Sequence, residues 1–229
     1  TIESRRARCG GSLVGSQWAL TAAHCVFSDI QDTYQFVGGI FEREADGPFR
    51  HEAPIERCFI HKKYPGRPIE FGHDLALCRL VDRVPFETND WIQPVCLPTF
   101  DFELPEGALL VMTGWGRTEG TGNSSLLNQV NVPYVPPSIC NDPQHLNGRV
   151  QDFVTQICVG YDAGRKGQCS GDSGSGVVRQ DSDGKWTTYG AVSWSAKPEG
   201  CASPLTPGVE ARVAGMLDFV YTTLLHYQP

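Results

Sequence analysis

Eleven short apolar runs, each closed by glycine, proline or a polar turn, limit how this chain can fold. Residues 9–14, 18–21, 34–41, 54–61, 75–80, 108–113, 129–135, 156–159, 176–179, 186–193 and 208–213 read as strands. Gln129–Val135 alternates cleanly, with Val130, Val132 and Tyr134 on one face. Many short strands separated by turns predict an all-β antiparallel barrel or sandwich. Helical spacing is confined to the end, where Val213, Met216, Leu217, Val220 and Leu224 predict a terminal amphipathic helix before Pro229. One helical turn is expected near 136–140. The stretch 96–107, with two prolines and three acids, reads as the join between an N-terminal unit, 1–100, and a C-terminal unit, 101–229.

Charge and cysteine content narrow the function. A net charge of −7 without a basic stripe argues against nucleic acid or an anionic membrane as partner. No apolar run is long enough to span a bilayer, and the polar opening Thr1-Ile-Glu-Ser-Arg-Arg-Ala-Arg8 carries no targeting pattern. Nine cysteines without C-x-x-C spacing point to a disulfide framework in a secreted protein rather than to zinc; neither metal nor cofactor is expected. Nine is odd, so one cysteine is free or bonded outside the chain. Asn123-Ser-Ser125 is a glycosylation sequon in a loop-like stretch.

Three motifs carry chemistry. Lys166-Gly-Gln-Cys-Ser-Gly-Asp-Ser-Gly-Ser-Gly176 presents Ser173 on a glycine-rich turn, where backbone N–H groups can gather around a hydroxyl. Thr21-Ala-Ala-His-Cys25 sets His24 directly after a strand, and Gly72-His-Asp-Leu-Ala-Leu77 sets Asp74 directly before one. Taken singly, His24 reads as a surface or core histidine and Asp74 as a turn residue. Together, in the order His24, Asp74, Ser173, they read as base, orienting acid and nucleophile. His51, His61, His73, His145 and His226 have no such context and are assigned to structure or surface.

The chain resembles the trypsin/chymotrypsin family of serine proteases. Trp18-Ala-Leu-Thr-Ala-Ala-His-Cys25, Asp74-Leu-Ala-Leu77, Gly114-Trp-Gly116, Gly171-Asp-Ser-Gly174, Ser193-Trp194 and Pro207-Gly-Val209 are family motifs in family order. The resemblance implies two six-stranded antiparallel β-barrels with a C-terminal helix and a polypeptide substrate in the cleft between them. It implies catalysis by His24, Asp74 and Ser173, with the Gly171 and Ser173 N–H groups as oxyanion hole. It implies substrate contacts from Gly167, Gln168, Ser170, Ser193, Trp194, Ser195, Gly208 and Glu210. The implied disulfides are Cys9–Cys25, Cys58–Cys78, Cys140–Cys158 and Cys169–Cys201, leaving Cys96.

Departures from the family sharpen the expectations. Members open with an Ile-Val-Gly-Gly-like terminus whose amine pairs with the acid before the nucleophile, here Asp172. Thr1-Ile-Glu-Ser does not match, and the first family strand is expected from another chain. Cys96, in Gln93-Pro-Val-Cys-Leu-Pro98, stands where two-chain members bond to their light chain, a layout resembling plasma-type and fibrinolytic proteases. Gly167 stands where trypsin-like members carry the pocket aspartate, which points to apolar substrates. Glu210 stands where the family carries a tyrosine, and needs a cation: a substrate Lys or Arg, or an internal Lys166 or Arg212. Cleavage after Lys or Arg, with broadened selectivity, is therefore expected. Ser175-Gly176 replaces Gly-Pro after the nucleophile, and loop 39–46 has Ile40 at its first calcium-ligand position. The rival expectation is a non-catalytic homologue acting as a binding module. An esterase of another fold is disfavoured by the residue order.

Overall fold

A computed structural model describes residues 1–4, 8–27, 33–100, 102–119, 122–196 and 200–227. Pro229, expected to close the terminal helix, and Asp101, expected to open the second unit, lie outside the described residues. The first half holds β1 (Ile2–Glu3), β2 (Arg8–Cys9), β3 (Ser12–Gly15), β4 (Trp18–Thr21), β5 (Gln35–Gly38), β6 (His51–Ile60) and β7 (Ala76–Leu80). These form one seven-stranded sheet in the order β2-β1-β5-β6-β7-β4-β3. The second half holds β8 (Leu109–Gly114), β9 (Asn128–Val135), β10 (Gln156–Val159), β11 (Gly176–Gln180), β12 (Trp186–Trp194) and β13 (Gly208–Arg212). These close into a six-stranded barrel, β10-β13-β12-β11-β8-β9. The short helices are α1 (Pro137–Cys140) and α2 (Leu217–His226).

In the first half the single segment 8–15 pairs with β1 through β2 at one edge of the sheet and with β4 through β3 at the other, so the sheet curls round on itself as expected. Ile2–Glu3 does pair with β5, so two residues stand where no strand was expected from this chain. The expected strand 9–14 is broken in two at Gly10-Gly11, because Gly10 backs onto the serine turn. A Cβ at Gly10 would sit 2.6 Å from Ser175 Cα. The expected strand 34–41 stops at Gly38, where Gly39 turns with φ +69° against the Phe49 carbonyl.

Packing places the functional ends of the strands together. The first-half core gathers Ile2, Leu13, Ala19, Phe36, Ala53, Ala76 and Leu80. The barrel interior gathers Leu110, Met112, Val132, Ile157, Val177 and Val192. A separate cluster crosses between the halves: Trp18, Leu20, Leu75 and Leu77 pack on Ala191, Ala211, Val213, Met216, Leu217 and Val220. The terminal helix α2 buries Leu217, Val220 and Thr223, so it helps seal this seam. Burying each large apolar side chain there contributes about 1.5–3 kcal/mol before entropy is counted. The linker docks on the barrel through Cys96 N–H to the Trp186 carbonyl and Thr188 N–H to the Cys96 carbonyl, at 2.8 and 3.0 Å.

Four disulfides, Cys9–Cys25, Cys58–Cys78, Cys140–Cys158 and Cys169–Cys201, tie these elements, and Cys96 is unpaired and half-buried. They are the pairs implied by the resemblance. Cys58 and Cys78 face each other directly across β6 and β7. Replacing both with alanine lowers the unfolding free energy by about 3 kcal/mol in the chain-entropy account, measured as a shift of the urea midpoint at constant slope.

Candidate active site

Register, not sequence distance, brings His24 to Asp74. Strand β4 runs antiparallel to β7 with Thr21 opposite Ala76. The end of β4 therefore lies beside the start of β7. His24 follows β4 in the 3-10 turn Ala23–Cys25, anchored by the Cys9–Cys25 disulfide. Asp74 precedes β7 and is 1% exposed. Its Oδ1 accepts the His24 backbone N–H at 2.8 Å, and its Oδ2 lies 2.8 Å from His24 Nδ1. Oδ2 also accepts the Ser193 hydroxyl from β12 at 2.6 Å. The bond to Oδ2 makes Nδ1 the protonated nitrogen and leaves Nε2 as the basic one. The His24 side chain is 26% exposed, open to a reactant on that side.

The serine turn is clamped between the halves. The Gly10 N–H donates to the Ser173 carbonyl at 2.7 Å, and the Gly174 N–H donates to the Val192 carbonyl at 2.8 Å. Gly174 has φ +78°, and a Cβ there would meet Thr21 Oγ1 and lie 2.6 Å from the Gly10 carbonyl oxygen and 3.2 Å from Ala22 N. Only glycine allows this approach, which seats Ser173 against the segment leading to His24. Among the described residues, the N–H groups of Gly171 and Ser173 have no acceptor, and no hydrogen bond joins Ser173 Oγ to His24. Gly171 is exposed with φ +100°.

Asp172 turns the other way. Its Oδ1 accepts Gly116 N–H at 2.9 Å and its Oδ2 accepts Cys169 N–H at 2.8 Å. Burial pushes its pKa up, and these two bonds oppose the rise. No cation pairs with it among the described residues; the Thr1 amine donates to the Val37 carbonyl instead, at 2.6 Å. A cleft of about 920 Å³ lined by Gly114, Gly116, Ala163, Cys169 and Asp172 adjoins it. A Cβ at Gly116 would lie 2.5 Å from Asp172 Oδ1, which explains the glycines of Gly114-Trp-Gly116.

The remaining predicted pocket residues cluster beside the turn. Gly167, Gln168, Ser195 and Gly208 line one narrow space with Val159, Tyr161 and Ala202. The Gln168 amide donates to the Trp194 carbonyl at 3.0 Å, joining the two walls. Ser170 is exposed at the rim, its carbonyl taken by Arg117 N–H at 2.9 Å. Glu210 is fully buried, with Oε2 accepting the Ser193 N–H at 3.1 Å and Oε1 without a partner. Neither internal cation suggested for it fills that role. Arg212 binds Glu103 at 2.7 Å and the Phe102 carbonyl at 2.9 Å, and Lys166 Nζ lies over the Tyr161 ring at 5.8 Å.

Arg149 was not foreseen. It lies over the Trp194 ring at 5.3 Å and pairs with Glu70 at 2.7 Å, bracing the Ser193-Trp194 strand from outside. Nothing in its local sequence signals this, since both partners are distant in the chain. Among the described residues, the two side-chain clusters with metal-ligand spacing, Cys9/His24/Cys25 and Glu119/Cys169/Cys201, both contain disulfide-bonded cysteines that offer no thiolate. Asn123 is exposed, its Oδ1 accepting from the Ser125 N–H and hydroxyl at 2.9 and 2.7 Å. No helix among the described residues is long and apolar enough to cross a membrane.

Comparison with known proteins agrees with this geometry. The Trypsin family profile matches residues 1–220. The chain is 35% identical over 209 residues to "Serine protease filzig" of Drosophila melanogaster, covering 90% of this chain and 12% of that protein. It is 34% identical over 223 residues to "Transmembrane protease serine 5" of Homo sapiens, covering 95% of this chain and 46% of that protein. The chain thus spans less than half the length of either relative. With the profile running through nearly every strand described above, the chain belongs to the trypsin family of serine proteases.

Proposed function

We propose that the chain is the catalytic unit of a serine endopeptidase that works outside the cytosol. The observation carrying this is the hydrogen-bond run Ser193–Asp74–His24, which crosses from one half to the other and ends beside the Ser173 turn. In this reading Ser173 Oγ attacks the scissile carbonyl and His24 Nε2 takes its proton. Asp74 holds the tautomer and stabilises the imidazolium, and His24 then protonates the leaving amine. The unengaged N–H groups of Gly171 and Ser173 receive the developing oxyanion, where one such donor contributes about 10²–10³ in rate. The Ser173–His24 contact closes when substrate binds, as catalytic hydrogen bonds in free enzymes commonly do. Ser193, Trp194 and Ser195 lay the substrate strand along the cleft. Four disulfides and the exposed Asn123, as a glycan site, support an oxidising, extracellular setting.

A second polypeptide completes the unit in this reading. Cys96 is unpaired, and Asp172 is a largely buried carboxylate beside an open cleft that an incoming α-amine would fill. A disulfide-linked light chain supplying that amine accounts for both. Substrates are cleaved after Lys or Arg, alone or within a broader set; uncharged Gly167 supports the chymotrypsin- or elastase-like alternative. Fibrin is one substrate class that a two-chain layout suggests, and clot lysis reads it directly.

A fluorophosphonate probe labels the assembled protein on Ser173 and fails to label Ser173→Ala. No labelling of the unaltered protein would instead favour a non-catalytic homologue that binds partners. Ser193→Ala, which removes one hydrogen bond to a buried carboxylate, lowers kcat on peptide amides by about 10- to 100-fold, with Ser193→Thr recovering most of it. Mass spectrometry of the native protein before and after reduction shows release of a partner from Cys96. A mass that changes only by thiol protons sinks the linked-chain reading.

A further inference from the structure

The pocket beside Ser173 contains two buried acceptors with nothing to accept. Glu210 Oε1 and Gln168 Oε1 are both without hydrogen-bond partners. They converge on one point: a Cβ at Gly208 would touch Gln168 Oε1 and lie 2.9 Å from Glu210 Oε1. Gly208 and Gln168 line the narrow space beside the turn, with Glu210 buried behind them, and any side chain at 208 would stand between that space and both oxygens. Gly167, on the facing segment, contributes neither charge nor donor; a Cβ there would meet only Ala202, at 3.3 Å. Two buried acceptors facing one point leave a lone pair unsatisfied unless a donor arrives. A proton held on Glu210 and a cation brought by a ligand are two donors that can fill that role.

Among the described residues, the charged groups acting on Glu210 are acidic. On β13 itself Arg212 is turned away to Glu103 and the Phe102 carbonyl. Strand β12 contributes the Ser193 N–H, and Asp74 stands behind the Ser193 hydroxyl. The serine turn contributes Asp172. Lys166 lies over Tyr161. Burial, then Asp172 and Asp74, push the Glu210 carboxyl well above the usual carboxylate range.

We propose that Glu210, with Gln168 Oε1, is the acceptor for a substrate Lys or Arg side chain, and that its protonation turns the same pocket over to uncharged side chains. This rests on the endopeptidase reading above. In the empty pocket Glu210 carries a proton and donates it to Gln168. A Lys ammonium or Arg guanidinium entering past Gly208 replaces that donor, and the displaced proton leaves to solvent. Binding of a basic side chain therefore releases one proton and strengthens as pH rises. An apolar side chain leaves the proton in place and binds without that dependence. The mixed signals of Gly167 and Glu210 become one device: an acid moved from the family's position to a site where it titrates.

The test compares peptide amides differing only in the residue before the scissile bond: Lys, Arg, Leu and Phe. The assembled protein is used, with active sites counted by the fluorophosphonate; no labelling would fail the endopeptidase reading itself, apart from this proposal. The Lys-to-Leu ratio of kcat/KM rises with pH along a single ionisation that lies above the ordinary carboxylate range. Glu210→Gln lowers that ratio at least about 30-fold at the upper pH, the loss expected when one member of a buried charge pair is removed, and flattens its pH profile. Adding Gly167→Asp to Glu210→Gln restores cleavage after Lys without restoring the pH dependence. A ratio flat with pH in the unaltered protein, or a Glu210→Gln ratio within about threefold of it, overturns the proposal. If Glu210→Gln does not fold, the profile of the unaltered protein decides by itself.

Discussion

A carboxylate buried at the seam between two sheets has to be satisfied from both sides. Asp74 is 1% exposed and accepts two hydrogen bonds from His24 and one from Ser193. Leaving such a group unsatisfied costs several kcal/mol. The arrangement therefore specifies how the halves meet: β4 and β7 must be in register, and β12 must lie across them. The Trp18–Leu77 side of the seam and the Ala191–Val220 side then supply the apolar area that holds this geometry. Stability and site geometry are the same constraint here.

Close backbone approach is the second organising device. Gly10, Gly116, Gly174 and Gly208 each stand where a Cβ would strike a named group: the Ser175 backbone, the Asp172 carboxylate, the Gly10 carbonyl, or the Gln168–Glu210 acceptor pair. Three of these four surround the serine turn, so the turn is held by backbone contact on both faces. The Gly171 and Ser173 N–H groups have no acceptor among the described residues, while Asp172 is drawn inward by Gly116 and Cys169. The turn combines a rigid outer face with an inner carboxylate that lacks a cation among the described residues.

Much of this was legible in the residues. The eleven strand segments correspond to observed strands because turn residues separate short apolar runs. His24 and Asp74 could be named because each abuts a strand end. The failures have local physical causes. Gly10-Gly11 splits a strand because another segment presses on it, and Gly39 ends one because a carbonyl does. Arg149 escaped notice because its partners Glu70 and Trp194 are assembled only by folding.

The sequence by itself determined the fold class, the strand segments and which side chains stand as candidates for the reaction. Local periodicity and motif spacing encode these, and they need no knowledge of distant contacts. Tertiary structure alone decided which oxygens of Asp74 face His24 and Ser193, which way Asp172 points, and where Lys166 and Arg212 discharge. It also decided that Glu210 Oε1 and Gln168 Oε1 lie near Gly208 without a hydrogen-bond partner among the described residues. Those outcomes depend on burial and on groups tens of residues apart, and desolvation acts only once the halves have closed on each other.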